Sequence, residues 1–155
     1  MDVIDKGPGV RVPPPLIFLF MIAVGYWLNL YYPLIIPWPE FFFFIGLFLI
    51  AVAVSFALIA VYQFWREKTH IEPWKPASSL MLEGVFAYSR NPIYLSFIII
   101  TLGIGLVLNN IWILFNTGPL LIALYFLVVK KEELYLERVF GDLYLDYKKR
   151  VRRWL

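Results

Sequence analysis

The sequence predicts an all-α, polytopic membrane protein with four transmembrane helices and a C-terminal amphipathic cytosolic helix. Three observations carry that prediction. Of 155 residues, 61% are hydrophobic and 16% charged, against about 45–50% apolar and about 25% charged in a soluble domain. The apolar residues gather into four stretches, parted by short segments rich in proline, asparagine or charge. All 14 lysines and arginines lie in three segments that an even number of crossings places on one side of a bilayer.

The stretches run over residues 16–32, 41–64, 92–108 and 111–129. Each is close to the roughly 17–25 residues a helix needs to cross the hydrocarbon layer, with the first and third at the short end. Residues 1–12 are too polar, and the first stretch too long, for a cleaved signal peptide. The turns Pro33–Glu40 and Asn109–Asn110 contain no Lys or Arg. The cations fall instead at Lys6 and Arg11, in the 66–91 segment, and in a tail that carries eight. By the positive-inside rule, both termini are then cytoplasmic in a multi-pass protein, of the cell membrane if the source is prokaryotic. The chain reads as one membrane-embedded domain over 1–155, and its first partner is the lipid bilayer.

Local features refine the spans. Trp27, Tyr31, Tyr32, Trp38, Trp65 and Trp112 lie near span ends, as an aromatic belt would. Phe41–Phe44 opens the second span with lipid-facing or packing bulk. Gly103 and Gly105 let a neighbouring helix approach closely. Pro119 deprives the Phe115 carbonyl of its helical donor, which predicts a kink near Asn116-Thr117-Gly118.

The 66–91 segment is stiffened by Pro73, Trp74 and Pro76, and a short helix is expected over Ser78–Phe86. Leu80, Met81, Leu82, Val85 and Phe86 are apolar in a segment that should meet water. They point to a loop that either lies on the membrane surface or folds back over the spans like a lid. In the tail, Leu136, Val139, Phe140 and Leu143 form one helical stripe, and Gly141-Asp142 reads as a stop followed by a fresh start. The run Lys148-Lys149-Arg150-Val151-Arg152-Arg153 suits anionic lipid. It lies too close to the bilayer for nucleic acid to be the better partner.

With no cysteine, thiolate chemistry and thiolate metal sites are excluded, and the lone His70 reads as a surface or loop histidine. No metal site is expected. The polar constellation worth isolating is Tyr88-Ser89-Arg90-Asn91-Pro92-Ile93-Tyr94. Asn91 suits an N-cap and Pro92 the first helical position, so free N–H groups and a positive dipole end sit beside Arg90 at the membrane edge. Glu132 and Glu133 stand at the exit of the last span.

These elements, with Phe140-Gly141-Asp142-Leu143-Tyr144-Leu145-Asp146-Tyr147, resemble the isoprenylcysteine carboxyl methyltransferases, their bacterial relatives and the related phospholipid methyltransferases. That family's pattern runs Arg-His/Asn-Pro-x-Tyr-x-Gly, Glu-Glu, then Phe-Gly-x-x-Tyr-x-x-Tyr and a basic end. Pro73-Trp74-Lys75-Pro76 and Glu83-Gly84-Val85-Phe86 are similar to its upstream stretch, so the resemblance covers about residues 66–153. It implies a methyltransferase with S-adenosylmethionine as cofactor, bound at the cytosolic end of the last two spans. Arg90 and Glu133 would be the catalytic pair. Tyr88, Arg90, Asn91, Pro92, Tyr94, Glu132, Glu133, Tyr144 and Tyr147 would form the cofactor site. The acidic pair would accept from ribose or amino groups, Arg90 and the helix start would meet the carboxylate, and the tyrosines would stack or face the sulfonium.

Three positions depart from the pattern. Asn91 stands where the prenylcysteine enzymes carry histidine, as in the bacterial branch. Ser96 replaces the usual glycine. Val128-Val129-Lys130-Lys131 lacks the arginine of eukaryotic members. The acceptor is left open between a carboxylate, an amine and a thiol, lipophilic or small. A non-catalytic lipid-binding scaffold and a sterol-type NADPH reductase are the competing readings, and oligomeric state is not encoded in any motif.

Overall fold

The computed structural model describes residues 7–34 and 36–155; Lys6 and the start of the polar N-terminal segment lie outside the described residues. Among the described residues every regular element is helical. Helix α1 (Pro14–Tyr31) starts at the proline run, and α2 (Phe41–Arg66) starts at the phenylalanine run. Helix α3 spans Pro92–Val107. A longer helical run follows, made of α4 (Ile111–Phe115), α5 (Thr117–Leu124), a π turn over Tyr125–Val129, and α6 (Lys130–Phe140). Helix α7 (Asp142–Arg150) closes the series. Three of these, α1, α2 and the run Ile111–Phe140, are long and apolar enough to cross a membrane; α3 is apolar but has only 16 residues.

Small residues set the helix spacing. A Cβ on Gly103 would lie 2.6 Å from Ile50 Cγ1 and 2.8 Å from the Gly46 carbonyl oxygen, so α2 and α3 cross glycine against glycine. At Gly105 the same atom would meet Leu114 Cδ2 at 2.6 Å, which seats α4 on α3. Both glycines do what their sequence position suggests. The helix is interrupted by a turn at Asn116, one turn ahead of Pro119 and at the expected kink, although the Asn116 N–H and carbonyl keep their bonds to Trp112 and Leu120. The buried Asn116 side chain uses the break to donate to the Met21 carbonyl of α1 at 2.8 Å.

Two ends emerge from the bundle. At one, Asn110 caps α4 by accepting from the Trp112 and Ile113 N–H groups, both at 3.1 Å. There Asn109 Nδ2 donates to the Ile36 carbonyl at 2.8 Å and Trp112 Nε1 to that of Tyr32 at 2.7 Å, so the two cation-free turns meet. At the other end the 66–91 segment packs with α6, α7 and the tail.

Two local expectations need correction there. The segment Ser78–Phe86 is not a helix; a 3₁₀ turn covers only Gly84–Ala87. Gln63 at the end of α2 explains it, since its side chain donates to the Glu83 carbonyl (3.1 Å) and accepts from the Val85 N–H (3.2 Å). Gly84 sits between them at φ +61°, where a Cβ would fall 2.0 Å from Gln63 Nε2. A left-handed residue pinned from both sides cannot continue a helix. In the tail, the stripe Leu136, Val139, Phe140 and Leu143 is not the buried face. The inward residues are Glu133, Tyr135, Tyr144 and Tyr147, while Leu143 is 51% exposed.

Candidate functional site

The residues on the inner face of α6 and α7 meet the start of α3 around a cleft enclosing about 860 Å³, mouth included. Residues from Thr69 to Met81 cover one side, and the Ala77 N–H donates to Tyr135 Oη at 3.2 Å. The apolar loop thus folds back over the bundle, one of the two placements its composition allows. His70 lies exposed at the rim, its Nδ1 3.8 Å from Glu72.

Glu133 is the electrostatic centre. Its Oε1 lies 3.0 Å from Arg90 Nη1, and it receives Arg153 bidentately, with Nε to Oε1 at 2.8 Å and Nη2 to Oε2 at 2.9 Å. The Arg90 and Glu133 side chains are only 8% and 10% exposed. One carboxylate therefore holds two guanidinium groups from segments 63 residues apart. Paired charges of this kind persist in a low-dielectric site because each supplies the other's lost hydration. Arg90 also donates to Tyr144 Oη at 3.5 Å, yet its buried Nε has no acceptor among the described residues. The bond to Glu133 keeps the Arg153 guanidinium firmly protonated.

Glu132 is held differently. It accepts from Tyr94 Oη at 2.8 Å, makes no ion pair among the described residues, and faces the cleft. The π turn immediately upstream decides this division. Widening the helix over Tyr125–Val129 resets the direction in which the following residues point, sending Glu133 to the arginines and Glu132 to Tyr94.

The tail straps the site shut. The Arg90 N–H donates to the Arg152 carbonyl (3.1 Å), and both Ser89 Oγ (3.3 Å) and Asn91 Nδ2 (3.1 Å) donate to that of Arg153. Asn91 does occupy the N-cap position of α3, but its side chain makes no capping bond; it donates through Nδ2 to the tail instead. Tyr147 Oη donates to the Phe86 carbonyl at 2.6 Å. Burial, reinforced by the Glu133 charge, pushes the Tyr144 hydroxyl up to about 12, so it remains a neutral phenol at physiological pH.

Of the nine residues singled out in the sequence, eight line the cleft: Arg90, Asn91, Pro92, Tyr94, Glu132, Glu133, Tyr144 and Tyr147. Tyr88 does not; it is 72% exposed and points away. Sequence reasoning missed Arg153 as an individual. It is one of five cations in the last run, and nothing local marks which of them turns inward. Tyr135 and the π turn were missed for the same reason, since both are defined by what closes over them.

The cleft places the Arg-Asn-Pro start, the acidic pair and the tyrosine pair around one space. The chain is 35% identical over 86 residues to protein-S-isoprenylcysteine O-methyltransferase of Schizosaccharomyces pombe. The aligned part is 56% of this chain and 33% of the relative, so the chain spans about a third of that curated protein. No solved structure matches. The phospholipid methyltransferase family model matches residues 41–143, well over half of the chain, from the start of α2 to the start of α7. The chain belongs to the phospholipid methyltransferase family.

Proposed function

We propose that the protein is an integral membrane methyltransferase that takes S-adenosylmethionine as methyl donor and works at the cytosolic membrane face. Its acceptor would be lipophilic or small, with a carboxylate, amine or thiol as nucleophile. The observation that carries this is the convergence on one cleft of Arg90, Tyr94, Glu132, Glu133 and Tyr144, drawn from three distant motifs of a chain in this family.

The residues present suit such a donor. The unpaired, buried Arg90 Nε is a donor waiting for an anion, which a carboxylate would satisfy. Glu132, free of any cation, suits an amino group, ribose hydroxyls or a sulfonium. Bound S-adenosylmethionine would supply a methyl group activated by that sulfonium. Glu133 orients Arg90, with Arg153 sharing the load, and the Tyr144 and Tyr147 rings offer π faces to adenine or the cationic centre. The loop over Thr69–Met81 would exclude water and hold donor and acceptor in line, which is most of what methyl transfer asks of a protein.

In this reading α3 is a fourth crossing. Its 16 residues reach about 24 Å, and the close Gly46–Gly103 contact lets it run beside α2. The cation-rich end becomes cytosolic and both termini lie there. Helices α6 and α7 form the amphipathic cytosolic element of a single domain.

Calorimetric titration of the purified protein with S-adenosylhomocysteine, with NADPH as control, tests the proposal. Binding of the adenosyl compound alone is expected. Binding of NADPH instead would move the chain to the reductases, and binding of neither by a folded sample would favour a scaffold.

A further inference from the structure

A second cavity lies on the outer face of the bundle, behind the cleft. It encloses about 400 Å³, mouth included, and is walled by Leu121, Ile122, Tyr125 and Phe126, with Arg153 and Trp154 at its end. Ile122 and Phe126 are 58% and 57% exposed, on the helical run apolar enough to cross a membrane. The groove is thus greasy along its length and cationic at one end.

The cation there is unusual in being only partly spent. A guanidinium carries five N–H groups. Glu133 takes one from Nε and one from Nη2, and the other three have no acceptor among the described residues. The Arg153 side chain is 34% exposed, and its guanidinium carbon lies 4.8 Å from the centre of the Tyr125 ring, which fixes its plane. Arg150 and Arg152 are exposed close by in sequence and add to the positive field.

We infer that this groove is a binding site for one anionic phospholipid, with an acyl chain along Leu121, Ile122 and Phe126 and the phosphate on the free edge of Arg153. The bilayer is the source the groove fits. A free phosphate would use the arginine but leave the apolar wall unfilled, and a zwitterionic lipid would bring a cation toward an already basic surface. Because the opposite edge of the same guanidinium grips Glu133, the bound headgroup and the cleft share one side chain. A lipid phosphate draws Arg153 outward and leaves Glu133 more fully to Arg90, so the composition of the leaflet adjusts the site from behind.

Native mass spectrometry of the protein in mild detergent, with phosphatidylglycerol or phosphatidylcholine added, reads this without reference to methyl transfer. Wild-type protein should retain one phosphatidylglycerol in preference to phosphatidylcholine. Arg153→Gln should lower that retention roughly tenfold, the loss of one charge-assisted contact. Ile122→Trp, which fills the groove from an exposed position away from the cleft, should abolish it, and Lys149→Gln should leave it unchanged. Equal retention of the two lipids, retention undiminished in Ile122→Trp, or a loss in Lys149→Gln matching that in Arg153→Gln would each overturn the inference.

Discussion

The two adjacent glutamates, alike in sequence, have opposite situations and should respond oppositely to substitution. Glu133 is committed to Arg90 and Arg153, so Glu133→Ala strands two cations, one of them almost fully buried. Breaking such a pair costs about 3 kcal/mol, toward the low end of the usual range because Arg153 is a third exposed. Thermal unfolding in detergent should show that loss directly. Glu132 has only Tyr94 as partner. Glu132→Gln should therefore unfold like wild type yet bind S-adenosylhomocysteine roughly tenfold more weakly by calorimetry. Equal stability in both variants would refute the division of labour. The acidic pair itself was legible in the sequence, as was its place at the exit of the last span. Which glutamate the arginines take was not, because the π turn over Tyr125–Val129 that precedes the pair is signalled by no residue in the sequence. Asn91 teaches the same lesson in reverse: the residue type is right for a cap, but its side chain is turned to donate through Nδ2 to a tail carbonyl 62 residues away and makes no capping bond.

Helices were the most readable elements. The starts at Phe41, Pro92 and Ile111 fall where proline, asparagine and aromatic runs put them, because these signals act locally through the backbone. The stretch before Arg90 was misread for want of a distant partner, Gln63, that only the folded chain supplies. Close packing between elements is where a single methyl group should tell. Gly103→Ala forces a Cβ against the Gly46 carbonyl and Ile50, which cannot all be relieved by a rotamer change. We expect a loss of about 1–3 kcal/mol, the usual cost of overpacking, seen as a lowered unfolding temperature. An unchanged transition would mean that α2 and α3 can part freely.

For the whole molecule, charge placement and fold agree on two unlike ends. The cation-free turns meet through Asn109 and Trp112, and the basic segments gather about the cleft. The natural absence of cysteine makes orientation simple to test. In sealed cells or vesicles, Glu40→Cys should react with an impermeant maleimide from outside, and Arg150→Cys only after the membrane is opened. Labelling of both from the same side would overturn the proposed four-crossing topology. Much of this architecture could be read from composition because a bilayer imposes length and polarity on every crossing. The closure of the site could not, since it depends on Ser89, Arg90 and Asn91 being held by backbone carbonyls at 152 and 153. That strap has a consequence for synthesis. A ribosome must add some 62 residues after Asn91 before its clamp exists, which at about 5–20 residues per second takes roughly 3–12 s. Over that interval a nascent chain has its first two apolar helices and is completing the third, but has no finished cleft. If the cleft is the donor site proposed above, a half-made chain already threaded into the membrane is inert toward that donor.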